Sequence, residues 1–380
     1  MNPYRVLLIG PRRAIIKLLR AREIPFSIWR EHATYPIAGA QKIFTEPLFN
    51  TTKKLKQIVN NALGNERFTH VIAGSEPAVY PAAVARRMVG ARLSLTTTAL
   101  RCRDKLAMKQ YLSDYAIPMT RFMAESAISS PVAAFDYLGS PLVRKQRKSF
   151  GGRSFELLTT EQDLVVQHNG RNILEKFVSA PEASIESFVN NGEIKFVNTT
   201  SYLEKRHVNL VPAAFDENLQ AEMLTLNRRV IEALKINWGI THLEVYLSDK
   251  GLLFGEIALR PPGGYIMNAM QHAYGFDPWE AFIAMELGEQ FDFPQAMPAY
   301  SCVEVLHPGV GYISAIRGEQ QVKDHAAMRE FKLKVKAGDI ISKREGAGQD
   351  IGYLLHTSKT PEARLALYQQ FKREFVIDIA

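Results

Sequence analysis

The apolar positions of the first hundred residues fall into two alternating patterns, short compact runs and stretches in which they return every three or four residues. Val6-Leu7-Leu8-Ile9 is a compact run closed by Gly10, and Ile15, Ile16, Leu18 and Leu19 then recur at helical spacing, which predicts strand, turn and helix. Phe26-Ser27-Ile28-Trp29, His70-Val71-Ile72-Ala73 and Ala91-Arg92-Leu93-Ser94-Leu95 read as further strands, with helical stretches at 53–63 and 81–89 between or before them. Such alternation predicts a parallel sheet with helices on its faces.

Asp104 has the character of a helix N-cap, and Met108, Tyr111, Leu112 and Tyr115 follow at one-face spacing until Ile117-Pro118 ends the helix. This helix is expected to join two domains. From Pro141 the pattern changes to short strands and turns at 141–145, 154–158, 172–178, 184–189 and 194–202, the last after an Asn191-Gly192 turn. That predicts a small antiparallel region. A helix over 218–234 puts Leu219, Met223, Leu226, Val230 and Leu234 on one face. Strands at 240–247 and 252–258 come next, joined by Asp249-Lys250-Gly251 as a three-residue hairpin loop with its glycine in the left-handed position. From Ser301 come more short strands and a final amphipathic helix around 361–371.

Composition excludes several classes. The 380 residues suffice for two or three domains, and 46% hydrophobic with 23% charged content is ordinary for a globular chain without repeats. The apolar runs are far shorter than the roughly eighteen residues a membrane span needs. Met1-Asn2-Pro3-Tyr4-Arg5 leads into too few apolar residues for a signal-peptide core, so a cytoplasmic location is expected. Cys102 and Cys302 show no metal or disulfide spacing. The net charge of +8 comes from scattered basic residues not interleaved with aromatics, which disfavours nucleic acid and suits an anionic small substrate such as a nucleotide. A two-fold homodimer is the default assembly.

Three segments carry candidate chemistry. A three-residue loop at 249–251 sets 248 opposite 252 and therefore Glu244 opposite Glu256. Directly opposed like charges are destabilising unless neutralised, and a divalent cation completed by water and phosphate oxygens would do so. A solvated surface hairpin in another register is the alternative. In Leu259-Arg260-Pro261-Pro262-Gly263-Gly264 a planar guanidinium precedes a glycine pair that opens a helix, a combination suited to anions. Lys148-Ser149-Phe150-Gly151-Gly152-Arg153-Ser154 is a small-residue turn with basic flanks between two strands, where backbone N–H groups can approach phosphate. It is not a Walker loop, and the lone Gly10 lacks the dinucleotide fingerprint of an NAD-dependent oxidoreductase.

In this order the segments resemble the ATP-grasp superfamily, in particular its carboxylate–amine and D-alanine–D-alanine ligase-like members, over nearly the whole chain. The resemblance implies an α/β (α+β) architecture: a Rossmann-like pre-ATP-grasp domain at 1–98, an ATP-grasp domain at 99–300 with a lid at about 118–172, and an extension of the mixed-sheet core at 301–380. Asp104-Lys105 resembles the helix start carrying the first ATP lysine, and Pro141-Leu142-Val143-Arg144-Lys145 the strand carrying the second. By the same likeness Lys148, Ser149, Gly151 and Gly152 form the phosphate loop. Glu175, Lys176, Phe177 and Val178 would line the adenine through main-chain groups, and Glu182 would bond the ribose. Glu244 and Glu256 fall on the two metal-binding positions and Arg260 on the arginine that meets the transferred phosphate or the acyl substrate, while His207 falls beside the acyl pocket. The family's E-I-N-P-R reads Glu256-Ile257-Ala258-Leu259-Arg260 here, so the third metal ligand is missing. The activity that the resemblance implies is that of an ATP-dependent ligase, with Mg2+ or Mn2+, joining a small-molecule carboxylate to an amine through an acyl phosphate. A weakly catalytic ATP-binding sensor is the second reading.

Overall fold

The computed structural model describes residues 3–33, 36–48, 51–63, 66–91, 95–151, 153–296, 299–344 and 348–380. Val6–Ile9 is an inner strand of a parallel sheet ordered Ala40–Thr45, Phe26–Arg30, Val6–Ile9, His70–Ala73. Its apolar run is unbroken because both faces are covered. Val6 and Leu8 join a cluster with the helices Arg13–Ala21 and Pro278–Leu287, and Leu7 and Ile9 join another with the helix Val79–Val89. Ala40–Thr45 leaves no trace in the apolar pattern because, as an edge strand, it exposes Gln41 and Lys42. The strand read at 91–95 spans 92–94, outside the described residues, and Leu95 is the N-cap of a helix, Thr96–Arg101, that the pattern does not signal.

The chain leaves Val6–Ile9 toward one edge of the sheet and later returns to place His70–Ala73 on its other side. Strand order therefore reverses between these two neighbours, and in such sheets ligands bind in the crevice beyond the carboxyl ends at the reversal. The two turns there are tightly apposed. Gly10 has φ +63°, a Cβ on it would lie 2.1 Å from Ser75 Oγ, and a Cβ on Gly74 would lie 2.4 Å from the Gly10 carbonyl oxygen.

The central sheet has eight strands, ordered Gly251–Ala258, Trp238–Ser248, Glu182–Asn190, Glu193–Glu204, Val208–Val211, Tyr300–Leu306, Gly352–Ser358 and Met328–Leu333. Every pairing within it is antiparallel, so the mixed character of the fold lies between sheets and not inside this one. Helix Glu217–Ala233, capped by Asp216, packs Met223, Leu226 and Val230 on one face. Helices Ile266–Tyr274 and Pro278–Leu287 cover the other, where Phe188, Ile240 and Val303 lie. A buried ion pair, Arg86 to Glu286 at 2.7 Å, ties helix Val79–Val89 to Pro278–Leu287 and so fixes the parallel sheet against the central one.

Phe122–Ala124, Asn172–Lys176, Leu142–Gln146 and Phe155–Leu158 form a separate antiparallel sheet with its own small core of Ile128, Leu138, Leu142, Leu158 and Leu174. Only residues 177–181 separate its strand Asn172–Lys176 from the central strand Glu182–Asn190. A third small sheet, of Ile340–Ile341, Gly311–Arg317 and Val376–Ile379, sits near the carboxy terminus. Among the described residues no helix is long and apolar enough to cross a membrane.

Candidate active site

The hairpin Trp238–Ser248 and Gly251–Ala258 reaches the expected carboxylate pairing by a different route. Its loop holds only Asp249 and Lys250, since Ser248 pairs with Gly251, and an unbroken register would set Glu244 against Gly255. A bulge at Gly255 restores Glu244 opposite Glu256. Glycine is required there because a Cβ would lie 2.9 Å from the Glu244 carbonyl oxygen. Both carboxylates, with His242 and Tyr246 alternating beside Glu244, face a cavity of about 990 Å³.

The opposed charges are neutralised by side chains. Lys105 Nζ lies 2.7 Å from Glu256 Oε2, and His242 Nε2 lies 3.3 Å from Glu244 Oε1. His242 is held from behind by Glu186, fully buried, whose Oε1 meets His242 Nδ1 at 2.9 Å and which also accepts from Ser184, Asn198 and Thr200. Burial works against charge on His242, but its bonds to Glu186 and Glu244 outweigh that and push its pKa up to about 9. Burial would likewise raise Glu244, yet the bond from His242 holds it well below the usual carboxylate range.

In the separate four-stranded sheet Glu175 takes Lys109 Nζ at 3.2 Å and Lys145 Nζ at 3.3 Å. Burial is offset by these two cations, and Glu175 is held at about 2. For Lys145 burial is overcome by Glu175, Tyr246 and Glu256, which raise its pKa, whereas in fully buried Lys109 burial prevails and lowers it. Lys105 also donates to the Ser149 carbonyl oxygen at 3.1 Å, bringing the small-residue turn against the helix Lys105–Ser113.

On the opposite wall Arg260 Nε meets Glu76 Oε2 at 2.7 Å, and Arg103 Nη1 meets Glu76 Oε1 at 2.6 Å. Glu76 comes just after His70–Ala73, at the reversal point of the parallel sheet. Arg12, from the neighbouring turn after Val6–Ile9, lines the same cavity.

The cavity wall thus brings together Lys105, Lys145, Ser149, Gly151, Glu182, Glu244, Glu256 and Arg260 of the residues singled out in the sequence. Gly152 lies outside the described residues. Other residues singled out in the sequence lie outside this wall. Glu175, Lys176, Phe177 and Val178 are not part of the wall: the Glu175 side chain turns inward to its lysines, and the N–H groups of Lys176 and Phe177 already bond Arg121 and Pro141 carbonyls. Lys148 points away, 55% exposed and 4.0 Å from Asp104. His207 is displaced because the turn presents Lys205 and Arg206 to the cavity, while the His207 carbonyl is taken by the Val305 N–H. Glu182 remains on the wall, paired with Lys205. Glu76, Lys109, Glu186 and His242 were not anticipated. Lys109, one helical turn after Lys105, and His242, two residues before Glu244, carry a periodic signal that would have found them.

Glu244 and Glu256 offer two hard oxygen donors on one wall, and Ala258, paired with His242, offers none. Among the described residues no group of three or more His, Cys, Asp or Glu side chains is arranged to hold a metal. This donor set fits a divalent cation that takes its remaining ligands from phosphate and water, not a closed protein cage.

The ATP-grasp domain family model matches residues 110–272, and the L-amino acid ligase C-terminal domain 2 model matches 305–380. The L-arginine-specific L-amino acid ligase of Bacillus subtilis is 24% identical over 347 residues, 83% of this chain and 82% of that protein. The crystal structure of an L-amino acid ligase from Bacillus licheniformis superposes with a TM-score of 0.82 at 17% identity over 100% of both chains. An N5-carboxyaminoimidazole ribonucleotide synthetase from Thermotoga maritima does so with 0.75 at 16%, over 99% of this chain and 100% of that one.

Proposed function

We propose that the chain, whose residues 110–272 match the ATP-grasp domain family, is a ligase that joins a carboxylate to an amine through an acyl phosphate, both substrates being amino-acid-like small molecules. The observation that supports this most is the convergence in one cavity of Lys105, Lys145 and Arg260, from three separate segments, with the paired Glu244 and Glu256. Phosphoryl transfer asks for charge clamps and alignment more than for a covalent nucleophile on the protein.

In this reading Lys105, Lys145 and the turn at Ser149–Gly151 hold the phosphates of ATP, and Glu182 holds the ribose hydroxyls. Glu244 and Glu256 would hold a divalent cation, which when bound lends positive charge to phosphate oxygens. Arg260, aimed by Glu76, neutralises charge as a carboxylate oxygen bonds the γ-phosphorus and the bond to the β–γ bridging oxygen breaks, releasing ADP. The amine nitrogen then attacks the acyl carbon, phosphate leaves with the bonding electrons, and the amine loses a proton. Ser149, Phe150, Gly151 and Phe155 carry the lid sheet onto the cavity, where exclusion of water protects the acyl phosphate.

Ala258 favours one second reading, an ATP-binding sensor of low activity. The two are separated by screening pairs of amino acids for ADP release with mass detection of the condensed product. ADP release that requires both substrates, with a product one water lighter than their sum, is the expected result. Nucleotide binding with no ADP release from any pair would favour the sensor.

A further inference from the structure

We propose that Arg12 binds the free carboxylate of the amino acid that supplies the amine, so that the acceptor must be an amino acid and not a simple amine. This rests on the ligase reading and adds an assignment within it.

The first support is position. Arg12 stands in the turn after Val6–Ile9, at the strand-order reversal where a parallel sheet offers its ligand crevice, and it lines the same cavity as Arg260 and the paired glutamates. The second is the pairing. The two oxygens of Glu76, the carboxylate that acts on Arg12, are taken by Arg103 and Arg260. Among the described residues no ion pair joins Arg12 itself to a carboxylate. Its polar contact is a 3.3 Å hydrogen bond to the Pro262 carbonyl oxygen, and its guanidinium carbon lies 5.7 Å from the centre of the Trp279 ring. Burial first, and Arg260 second, lower its pKa to about 10 against the pull of Glu76, so it stays charged at neutral pH.

The chemistry says which anion. The acyl donor's carboxylate is converted to acyl phosphate and loses its charge on the way to product, between Arg260 and the paired glutamates. The acceptor's carboxylate survives the reaction unchanged. A permanent planar cation set beside the phosphoryl clamp, but not part of it, suits the group that stays anionic throughout and accepts bidentate hydrogen bonds.

The test fixes the acyl donor and compares an acceptor amino acid with its carboxamide in the wild type, Arg12→Gln and Arg12→Lys. Arg12 is the N-cap residue of helix Arg13–Ala21 but makes no side-chain capping bond, so substitution removes no cap. The wild type is expected to show an acceptor KM about ten- to a hundredfold higher for the carboxamide, the effect of losing one charged hydrogen-bonded pair. In Arg12→Gln the amino acid KM rises to that of the carboxamide and the preference vanishes, with kcat at saturating acceptor and the ATP dissociation constant unchanged. Arg12→Lys restores part of the preference. Equal use of acid and carboxamide by the wild type, or a preference that survives in Arg12→Gln, overturns the proposal. A loss of ATP affinity in Arg12→Gln, the same with either acceptor, overturns it in favour of a phosphate contact. Absence of ADP release from every amino acid pair would bring down the ligase reading itself, and this inference with it.

Discussion

Replacing Glu76 by glutamine tests whether the parallel sheet aims the phosphoryl clamp. Glu76 is 8% exposed, with Arg103 Nη1 at 2.6 Å on one oxygen and Arg260 Nε at 2.7 Å on the other. Burial would raise its pKa, but Arg260 and Arg103 outweigh burial and hold it below the usual carboxylate range. A depressed acid contributes stability that is present above its unfolded pKa and lost on acidification, so at neutral pH the contribution is complete. Glutamine keeps the shape and one acceptor oxygen. Its NH2 group, however, faces a guanidinium, donor against donor, and Arg103 at 4% exposure loses its counter-ion. Removing one partner of a buried ion pair costs about 3–5 kcal/mol, and the remaining amide oxygen places this case at the low end, about 3 kcal/mol. Urea unfolding should show a lower midpoint at unchanged slope. Arg260 would also lose its aim, so ADP release should fall on the order of a hundredfold, as when one preorganised charge stabiliser is removed. ATP affinity should change little, because Lys105 and Lys145 are untouched. A wild-type midpoint together with wild-type turnover would refute the reasoning.

Glu256→Gln should abolish turnover while the fold survives; because Lys105 loses its partner, the unfolding midpoint should fall slightly, by under about 1 kcal/mol, and normal ADP release at saturating magnesium would exclude Glu256 as a ligand. Arg260→Lys keeps charge but loses the planar fork, so the rate should drop on the order of a hundredfold with ATP affinity by calorimetry nearly unchanged; undiminished turnover would remove Arg260 from the reaction. Glu175, held at about 2, contributes stability above its ordinary pKa of 4.5 that is lost as pH falls toward 2. Glu175→Gln, which strands Lys109, should therefore be less stable at pH 7 by on the order of 3 kcal/mol, with the gap narrowing below pH 4.5, and a gap independent of pH would contradict the assignment.

The parts of this molecule that can be read from its residues are those set by short-range periodicity. Val6–Ile9 and the helix after it announce themselves because apolar spacing within one element needs no knowledge of its neighbours. The carboxylate pair was legible for a partly mistaken reason. A two-residue loop plus a bulge gives the same opposition as a three-residue loop without one, and only the close approach at Gly255 tells the two apart. Ala40–Thr45 escaped because an edge strand with exposed polar residues has no apolar alternation to show.

What could not be read is carried by contacts between residues far apart in the chain. Glu76 meets Arg260 across 184 positions, and His242 meets Glu186 across 56. No local spacing encodes either bond. Each is nonetheless demanded by a local fact: Glu186 and Glu76 are carboxylates in buried positions, and buried charge persists only when paired. Ala258 shows how the two levels join. Its departure from the family pattern is visible in the residues alone, but its setting is not, since the residue paired with it across the hairpin is His242. The imidazole there is drawn toward the charged form by its bonds to Glu186 and Glu244. His242 thus bears on one of the two carboxylates, Glu244, while Lys105 bears on the other, Glu256.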